Sequence, residues 1–420
     1  MSIKNRLILC VFPLMLVACG GSSGGSPAPS IPTISSSSSS APASQASENS
    51  VSESSVNESS VVASSLSSSA ESSAAAVEPW KTARQASEEM GAGFNLGNTF
   101  EGDQNPSSFE NSKLKIDAYY AKGFRSLRIP ITWTENVDGN RLADPLTGVV
   151  NRNNPRLAEI VSTIDYALTL EGLYVVINAH HEYGLKDNSG SRSAVLARIW
   201  ADVTDMLGDR SPRLLFQLLN EPHASVNNGG AAMPAADLRL MSGKAYDKIR
   251  AVNPQRIIII GGDQWFGAHE LERAWPNLDA VGGGQDEYVM ASFHHYSPWE
   301  FAGEDGNHGM NWTDAMLQEP FDIASAWASS VGGGMPIYVS EWGVGWQKQK
   351  PAMQCNNIRK WYQEMHYTAA TAHHYPTAVW DDGGWFRVFS HATHTFDNDL
   401  ADCIITGACW TGADRFANCR

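Results

Sequence analysis

From residue 80 to the C-terminus, short apolar runs alternate eight times with stretches of helical spacing, and very few architectures accommodate that rhythm. The runs are Ala92 to Leu96, Phe124 to Ile131, Leu173 to Asn178, Leu214 to Leu219, Arg256 to Ile260, Tyr288 to Phe293, Ile337 to Ser340 and Ala378 to Trp380. Runs such as Ile257-Ile258-Ile259-Ile260 mark strands covered on both faces, the condition of a parallel sheet. Between them, helical spacing covers about Glu110 to Lys122, Pro155 to Glu171, Arg192 to Gly208, Ala235 to Val252, Ala268 to Trp275, Trp312 to Val331 and Met353 to His373. Eight such units over about 340 residues predict an α/β fold, a (β/α)8 barrel with generous loops, rather than an open doubly wound sheet. A dinucleotide-binding sheet would place G-x-G-x-x-G directly after its first strand. Here that segment reads Gly91-Ala92-Gly93-Phe94-Asn95-Leu96-Gly97-Asn98, without such a loop leading into a helix. No second folded domain and no repeat of fixed period is visible, so residues 80–420 are expected to form one domain.

The preceding segment has a different character. Lys4 and Arg6 precede an apolar stretch, Leu7 to Val17, that is too short to span a bilayer and reads as an export signal over residues 1–18. It ends in Leu16-Val17-Ala18-Cys19, which resembles a bacterial lipobox, where cleavage before the Cys is followed by its acylation. Gly20 rather than Asp at the next position favours the outer membrane, by the same resemblance. Residues 19–79 are then expected to be a Ser-rich flexible tether anchored at Cys19, because so few apolar side chains cannot offset the entropy of ordering. The chain carries a formal charge of -15; five Glu in the tether and two basic residues in the leader leave -12 on the folded part. That balance argues against nucleic acid as a partner, and against a basic face laid on anionic lipid. A neutral partner suits it better, and 14 Trp supply flat faces for stacking on sugars. Cys355, Cys403, Cys409 and Cys419 cluster near the C-terminus of an exported chain, which predicts two disulfides with three possible pairings. A zinc site is disfavoured because no C-x2-C pair occurs.

In a barrel of this kind, functional side chains sit at the C-terminal ends of the strands. Those positions hold Asn95 and Asn98, Arg128, His180 and His181, Asn220 and Glu221, Asp263 and Trp265, His294 to Tyr296, Glu341 and Trp342, and Trp380 to Asp382. Two are carboxylates that directly follow buried runs: Glu221 after strand four and Glu341 after strand seven. Strands so placed face each other across the barrel mouth, and a glycosidic bond needs two carboxyl groups, one to protonate the leaving oxygen and one to attack the anomeric carbon. A separation of about 5 to 5.5 Å would make the reaction retaining.

The runs Leu127-Arg128-Ile129-Pro130, Asn178-Ala179-His180-His181-Glu182, Leu219-Asn220-Glu221-Pro222-His223, Phe293-His294-His295-Tyr296 and Val339-Ser340-Glu341-Trp342-Gly343 resemble glycoside hydrolase family 5 over residues 90 to about 390. The opening Gly91 to Glu101 is similar to that of the family's bacterial endoglucanases acting on β-1,4-glucans. The resemblance implies Glu221 as acid/base and Glu341 as nucleophile, with Asn220 on the sugar's 2-hydroxyl. It further implies that Arg128 and Tyr296 orient Glu341, that His294 supports the acid/base side, that His180, His181 and Asn95 belong to the substrate site, and that Trp380 stacks beneath a sugar. Chemically, donors beside one Glu and not the other keep one carboxyl charged while the other stays protonated. The expected partner is a β-glucan or related plant cell-wall polysaccharide, handled by a monomer without cofactor. Xyloglucan and mannan are the alternative substrates, and a tethered glycan-binding protein without turnover is the alternative function. Trp133, Trp265, Trp299, Trp342, Trp346 and Trp385 are candidate subsite aromatics. The pairs His180-His181, His294-His295 and His373-His374 lack H-E-x-x-H spacing, so a catalytic metal is not expected.

Overall fold

A computed structural model describes residues 78–345, 355–396 and 399–419. The signal, nearly all of the tether with Cys19, and Trp346 lie outside them. Eight parallel strands close into a barrel in sequence order. They are β1 Ala92–Asn95, β2 Ser126–Ile129, β3 Tyr174–Asn178, β4 Leu214–Gln217, β5 Ile258–Ile260, β6 Val289–His295, β7 Ile337–Trp342 and β8 Thr377–Val379. Each coincides with one of the eight apolar runs. β1 closes on β8 through Gly93 opposite Ala378. Only glycine fits at that seam, because a Cβ on Gly93 would lie 2.6 Å from the Ser126 carbonyl oxygen and 2.7 Å from that of Thr377.

The long helices between the strands fall where the spacing places them, whereas the first and last helices and two short ones lie outside the expected stretches. α1 is Ala83–Met90, α2 Phe109–Lys122, α3 Pro155–Thr169, α4 Tyr183–Lys186, α5 Ser189–Leu207 and α6 Ala235–Val252; α7 Leu271–Ala274, α8 Trp299–Ala302, α9 Asp314–Ser330, α10 Asn356–His366 and α11 Leu400–Thr406 follow. Local signals set their ends. Thr82 and Gln85 form a capping box at α1, Asn154 caps α3 with Pro155 in its first turn, and Gly123 ends α2 in the left-handed conformation. The stretch expected to be one helix through His373 is instead α10 followed by a π-helical turn, Tyr367–His373. Short helices such as α4 and α8 lie in strand-end loops, where no apolar period announces them.

The strands alternate as sheet geometry demands, with both faces buried. Outward residues such as Val175, Ile177, Phe216, Phe293 and Val339 pack into the main core with the helices. Inward residues change character along the barrel axis. At the N-terminal end Tyr174, Val176, Leu215, Ile259, Met290, Tyr338 and Ala378 form a second apolar cluster, closed from below by Ala83, Ala86 and Met90 of α1. One layer higher the inward residues are Asn95, Arg128, Asn178, Gln217, Ser292 and Ser340, all completely buried. An apolar base supports a polar floor, and that floor carries the site.

Beyond β8 the chain forms a two-stranded hairpin, Phe389–Ser390 with Thr395–Phe396, and then α11. The four C-terminal cysteines pair as Cys355–Cys419 and Cys403–Cys409, spanning 64 and 6 residues. On the chain-entropy relation the longer loop stabilises by about 4 kcal/mol and the shorter by about 2 kcal/mol. Replacing Cys355 and Cys419 together by Ala is therefore expected to lower the denaturant midpoint about twice as far as replacing Cys403 and Cys409, measured by tryptophan fluorescence in urea.

Candidate active site

The site is built on one guanidinium. Arg128, with no exposed surface, reaches up from β2 and donates to four acceptors, on β1, β4 and β7 and in the turn after β4. Nε donates to Gln217 Oε1 at 2.8 Å, Nη1 to Asn95 Oδ1 at 2.9 Å and to Glu341 Oε1 at 2.7 Å, and Nη2 to Asn220 Oδ1 at 2.6 Å. The acceptors are themselves held. Asn95 Nδ2 donates to the carbonyls of Ser340 and Ala378, and Gln217 Nε2 to the hydroxyls of Ser292 and Ser340. Charge-assisted bonds of this kind are the strong ones, and a buried cation requires them.

Two irregularities turn the carboxylates inward. The β6–β7 register shifts between Phe293 and His294, so Phe293 pairs with Val339 but His294 with Glu341. The extra residue lets Ser340 and Glu341 both face the interior, where strict alternation would send Glu341 outward. Glu221 leaves β4 with φ of 36°, a left-handed conformation for a non-glycine residue. Such strain persists where surrounding contacts fix it, and functional sites are the usual place.

The two carboxylates meet across His294. Its Nδ1 lies 2.8 Å from Glu221 Oε1 and its Nε2 3.5 Å from Glu341 Oε1. Oxygen atoms of Glu221 and Glu341 and a His294 nitrogen all lie within 4.8 Å of one another. A cation could find three ligand atoms there, but Glu341 already accepts from the Arg128 guanidinium, and from Tyr296 Oη at 3.1 Å, so the set is adapted to proton chemistry. Burial pushes the Glu221 carboxyl above the usual carboxylate range, against the influence of His223, Lys186 and Arg128. Burial also pulls the His294 imidazole down to about 3, leaving it neutral at any working pH. One carboxyl that favours its proton thus faces one that accepts two donors.

Around this pair the cleft is aromatic. Trp380, half-buried, stacks on the His180 ring at 5.9 Å with planes 9° apart, and His180 Nε2 lies 3.4 Å from Asn220 Nδ2. His181 stacks on Tyr183 at 5.3 Å. On the far side Trp265, 44% exposed, lies on His223 at 3.7 Å, and His223 Nε2 is 3.9 Å from Glu221 Oε2. Trp299, 61% exposed, stands edge-on to Tyr296. A cavity of about 730 Å3 at the barrel's other end, between α1, α9 and the π-helical turn, holds neither carboxylate.

The structure brings Glu221, Glu341, Asn220, Arg128, His180, His294 and Tyr296 into one cluster and places several of the other strand-end residues elsewhere. Asn95 does not face the cleft; it is fully buried and committed to the polar floor beside Arg128, which reaches Glu341 from below. Trp133 and Trp342 are core residues, each 1% exposed, while Trp385 is half-buried. His295 points away and meets the Leu317 carbonyl of α9. Asp263 is paired with Arg273, and Asp381 with Lys115 and Tyr119, where it also accepts backbone N–H groups of the loop after β8. Asp382 likewise holds Gly384 and Phe386. Gln217, hidden in an apolar run, has no candidate role in the sequence, although a lone amide inside a buried strand is the signal that would have found it.

A family model described as cellulase, glycosyl hydrolase family 5, matches residues 87–384, which is well over half of the chain. The chain belongs to glycoside hydrolase family 5. This family 5 chain is 26% identical over 340 residues to Endoglucanase H of Acetivibrio thermocellus, covering 78% of the chain and 34% of that protein. It is 26% identical over 373 residues to Endoglucanase A of Clostridium longisporum, covering 78% and 66%, so it spans a third to two thirds of the length of these two relatives. Endoglucanase A of Paenibacillus barcinonensis is 27% identical over 370 residues, with 90% of it covered. Among solved structures, a Bacteroides ovatus GH5 xyloglucanase in complex with a XXXG heptasaccharide superposes with a TM-score of 0.65 at 20% identity, over 78% of this chain and 76% of that one. A hyperthermophilic endo-β-1,4-glucanase in complex with substrate gives 0.59 at 23%, over 77% and 99%. These superpositions establish the shared fold.

Gln217→Leu is expected to leave the fold intact but strand Arg128 Nε and the Ser340 hydroxyl, while Ser292 keeps its bond to the Ile260 carbonyl, each unsatisfied group costing about 1–3 kcal/mol. Turnover should fall roughly ten- to a hundredfold with little change in KM, measured by reducing-sugar release alongside the thermal midpoint.

Proposed function

We propose that this family 5 chain is a retaining endo-β-1,4-glucanase. The observation that carries the proposal is the facing of Glu221 and Glu341 with carboxylate oxygens within 4.8 Å, close to the separation of about 5–5.5 Å typical of retaining enzymes and short of the roughly 6.5–9.5 Å that inverting enzymes need for a water. In the first step Glu341 attacks the anomeric carbon while Glu221 gives its proton to the departing glycosidic oxygen, and a glycosyl ester forms on Glu341. In the second step Glu221 takes a proton from water, which attacks the same carbon and frees Glu341. The raised proton affinity of Glu221 suits the acid role, and the Arg128 and Tyr296 donors suit a carboxylate nucleophile. In this reading Asn220, whose Oδ1 is taken by Arg128, offers Nδ2 to the 2-hydroxyl of the sugar at the point of cleavage. Trp380 supports the sugar before the scissile bond and Trp265 one after it; aromatic faces at both ends of the pair favour a flat, equatorially linked glucan. A binding protein without turnover has no use for two opposed carboxyl groups bridged by an imidazole.

Glu221→Gln and Glu341→Gln are each expected to lower kcat by at least about a hundredfold, the size of one general acid or nucleophile contribution, with the fold unchanged by circular dichroism. Azide should restore turnover to Glu341→Gly and give a glycosyl azide of inverted configuration. On the wild-type chain kcat/KM should fall on the alkaline side as Glu221 loses its proton, at a pH above the ordinary carboxylate range. Carboxymethylcellulose and barley glucan are the expected substrates in a panel that includes xyloglucan and mannan; fastest release from mannan would overturn the glucan assignment.

The lipobox-like Leu16-Val17-Ala18-Cys19 supports an exported, lipid-anchored enzyme on the outer membrane, and the two C-terminal disulfides fit an oxidising compartment. Labelled fatty acid should enter the full-length chain and not Cys19→Ser; an unlabelled wild type would refute the anchor.

A further inference from the structure

A second cation lies beneath the site without belonging to the Arg128 network. Lys186 closes α4, is 4% exposed, and donates from Nζ to the His180 carbonyl at 2.7 Å. Among the described residues no carboxylate oxygen approaches Nζ within the 4.0 Å of an ion pair. A buried ammonium held by one carbonyl, with the Tyr183 ring centroid at 5.7 Å, is costly unless the surrounding field is negative. The charges that support it are Glu221, Glu182, Glu341 and Glu135, in that order, and burial lowers it to about 8. α4 is also fastened to the loop that follows the acid/base Glu, because Asp187 accepts from the Ser225 N–H at 2.7 Å and from its hydroxyl at 2.8 Å.

The groups facing Glu221 can be taken element by element. β2 presents Arg128, which is bonded to Glu341; β6 presents His294, held neutral by burial, and the residue after the strand is Tyr296, whose hydroxyl is turned to Glu341; β7 presents Glu341 itself. Its own loop presents His223, which burial pushes below the usual histidine range. α4 presents Tyr183 and Lys186. Of these, Lys186 is the cation not engaged with another carboxylate.

Resting on the double-displacement role of Glu221, we propose that Lys186 is a positioning residue whose buried positive charge sets how readily Glu221 releases its proton. The reaction needs Glu221 protonated in the first step and ionised in the second, so a carboxyl held too strongly neutral by burial would fail as the base. A cation fixed to the β3–α4 turn opposes that burial without touching the carboxylate or the substrate. Because interactions between two charges are reciprocal, the carboxylates that keep Lys186 an ammonium are the ones it helps to ionise.

Full-length variants Lys186→Gln and Lys186→Arg separate charge from hydrogen bonding, since Gln retains a donor for the His180 carbonyl and Arg retains both. Removing the cation should raise the alkaline limb of kcat/KM on barley glucan by about half a pH unit or more in Lys186→Gln, while Lys186→Arg stays at the wild-type position. An unmoved limb in a folded Lys186→Gln, or equal shifts in both variants, would overturn the proposal. Should Lys186→Gln not fold, 15Nζ-lysine NMR of the wild-type chain decides, with Lys186→Arg assigning the resonance: an ammonium at pH 6 that titrates near 8 is expected, and a neutral amine at pH 6 refutes it. Full turnover in Glu221→Gln would instead defeat the acid/base assignment itself, whatever Lys186 does.

Discussion

Burying a guanidinium with no exposed surface imposes more order on this barrel than any other single interaction. Arg128 binds side chains from β1, β4 and β7 and from Asn220 just after β4, so three strands of the wall are referenced to one rigid plane. Guanidinium geometry is planar and its donors point in fixed directions, which transfers angular precision to whatever accepts from it. Glu341 is positioned in this way, and Asn220 with it. The neighbouring Glu221 then inherits its location from Asn220 through the chain, and its facing from His294. Positions that would each be loose on a flexible loop are tied to one another.

This precision depends on departures from regular sheet. A barrel strand offers every second residue to the interior, and two adjacent polar residues cannot both point there without an extra residue. The shifted β6–β7 register supplies one at Ser340-Glu341, and the left-handed turn at Glu221 achieves a similar result after β4. Below this level the strands keep strict alternation, and their inward residues are apolar. Regular geometry therefore coincides with the supporting layer, and irregular geometry with the chemical one.

The same division explains what was legible in the sequence. All eight strands and the long helices were recognisable because burial on both faces leaves continuous apolar runs, and because helical spacing is local. The two carboxylates were recognisable because each follows such a run directly. The orientation of side chains at strand ends was not, since one shifted residue reverses inside and outside. Asn95 was accordingly expected at the sugar yet lies one layer deeper, Trp133 and Trp342 turn into the core, and His295 faces α9. Gln217 was lost within an apolar run, and Lys186 within a helix of four residues that has no periodicity to read. The disulfide partners required the path of the C-terminal segment, which four isolated cysteines do not encode.

The plug beneath the barrel has a consequence for how the chain reaches this state. Ala83, Ala86 and Met90 are among the first described residues, yet the cluster they close includes Tyr338 from β7 and Ala378 from β8. The base of the barrel is complete only when segments nearly 300 residues apart in sequence have met. Contacts of such long range make assembly slow, and they leave the apolar ends of β3 to β7 uncovered until the last strand arrives. During synthesis from the N-terminus, α1 therefore emerges long before it has a surface to cover. The order in which the chain becomes available is the reverse of the order in which its lowest layer can be sealed.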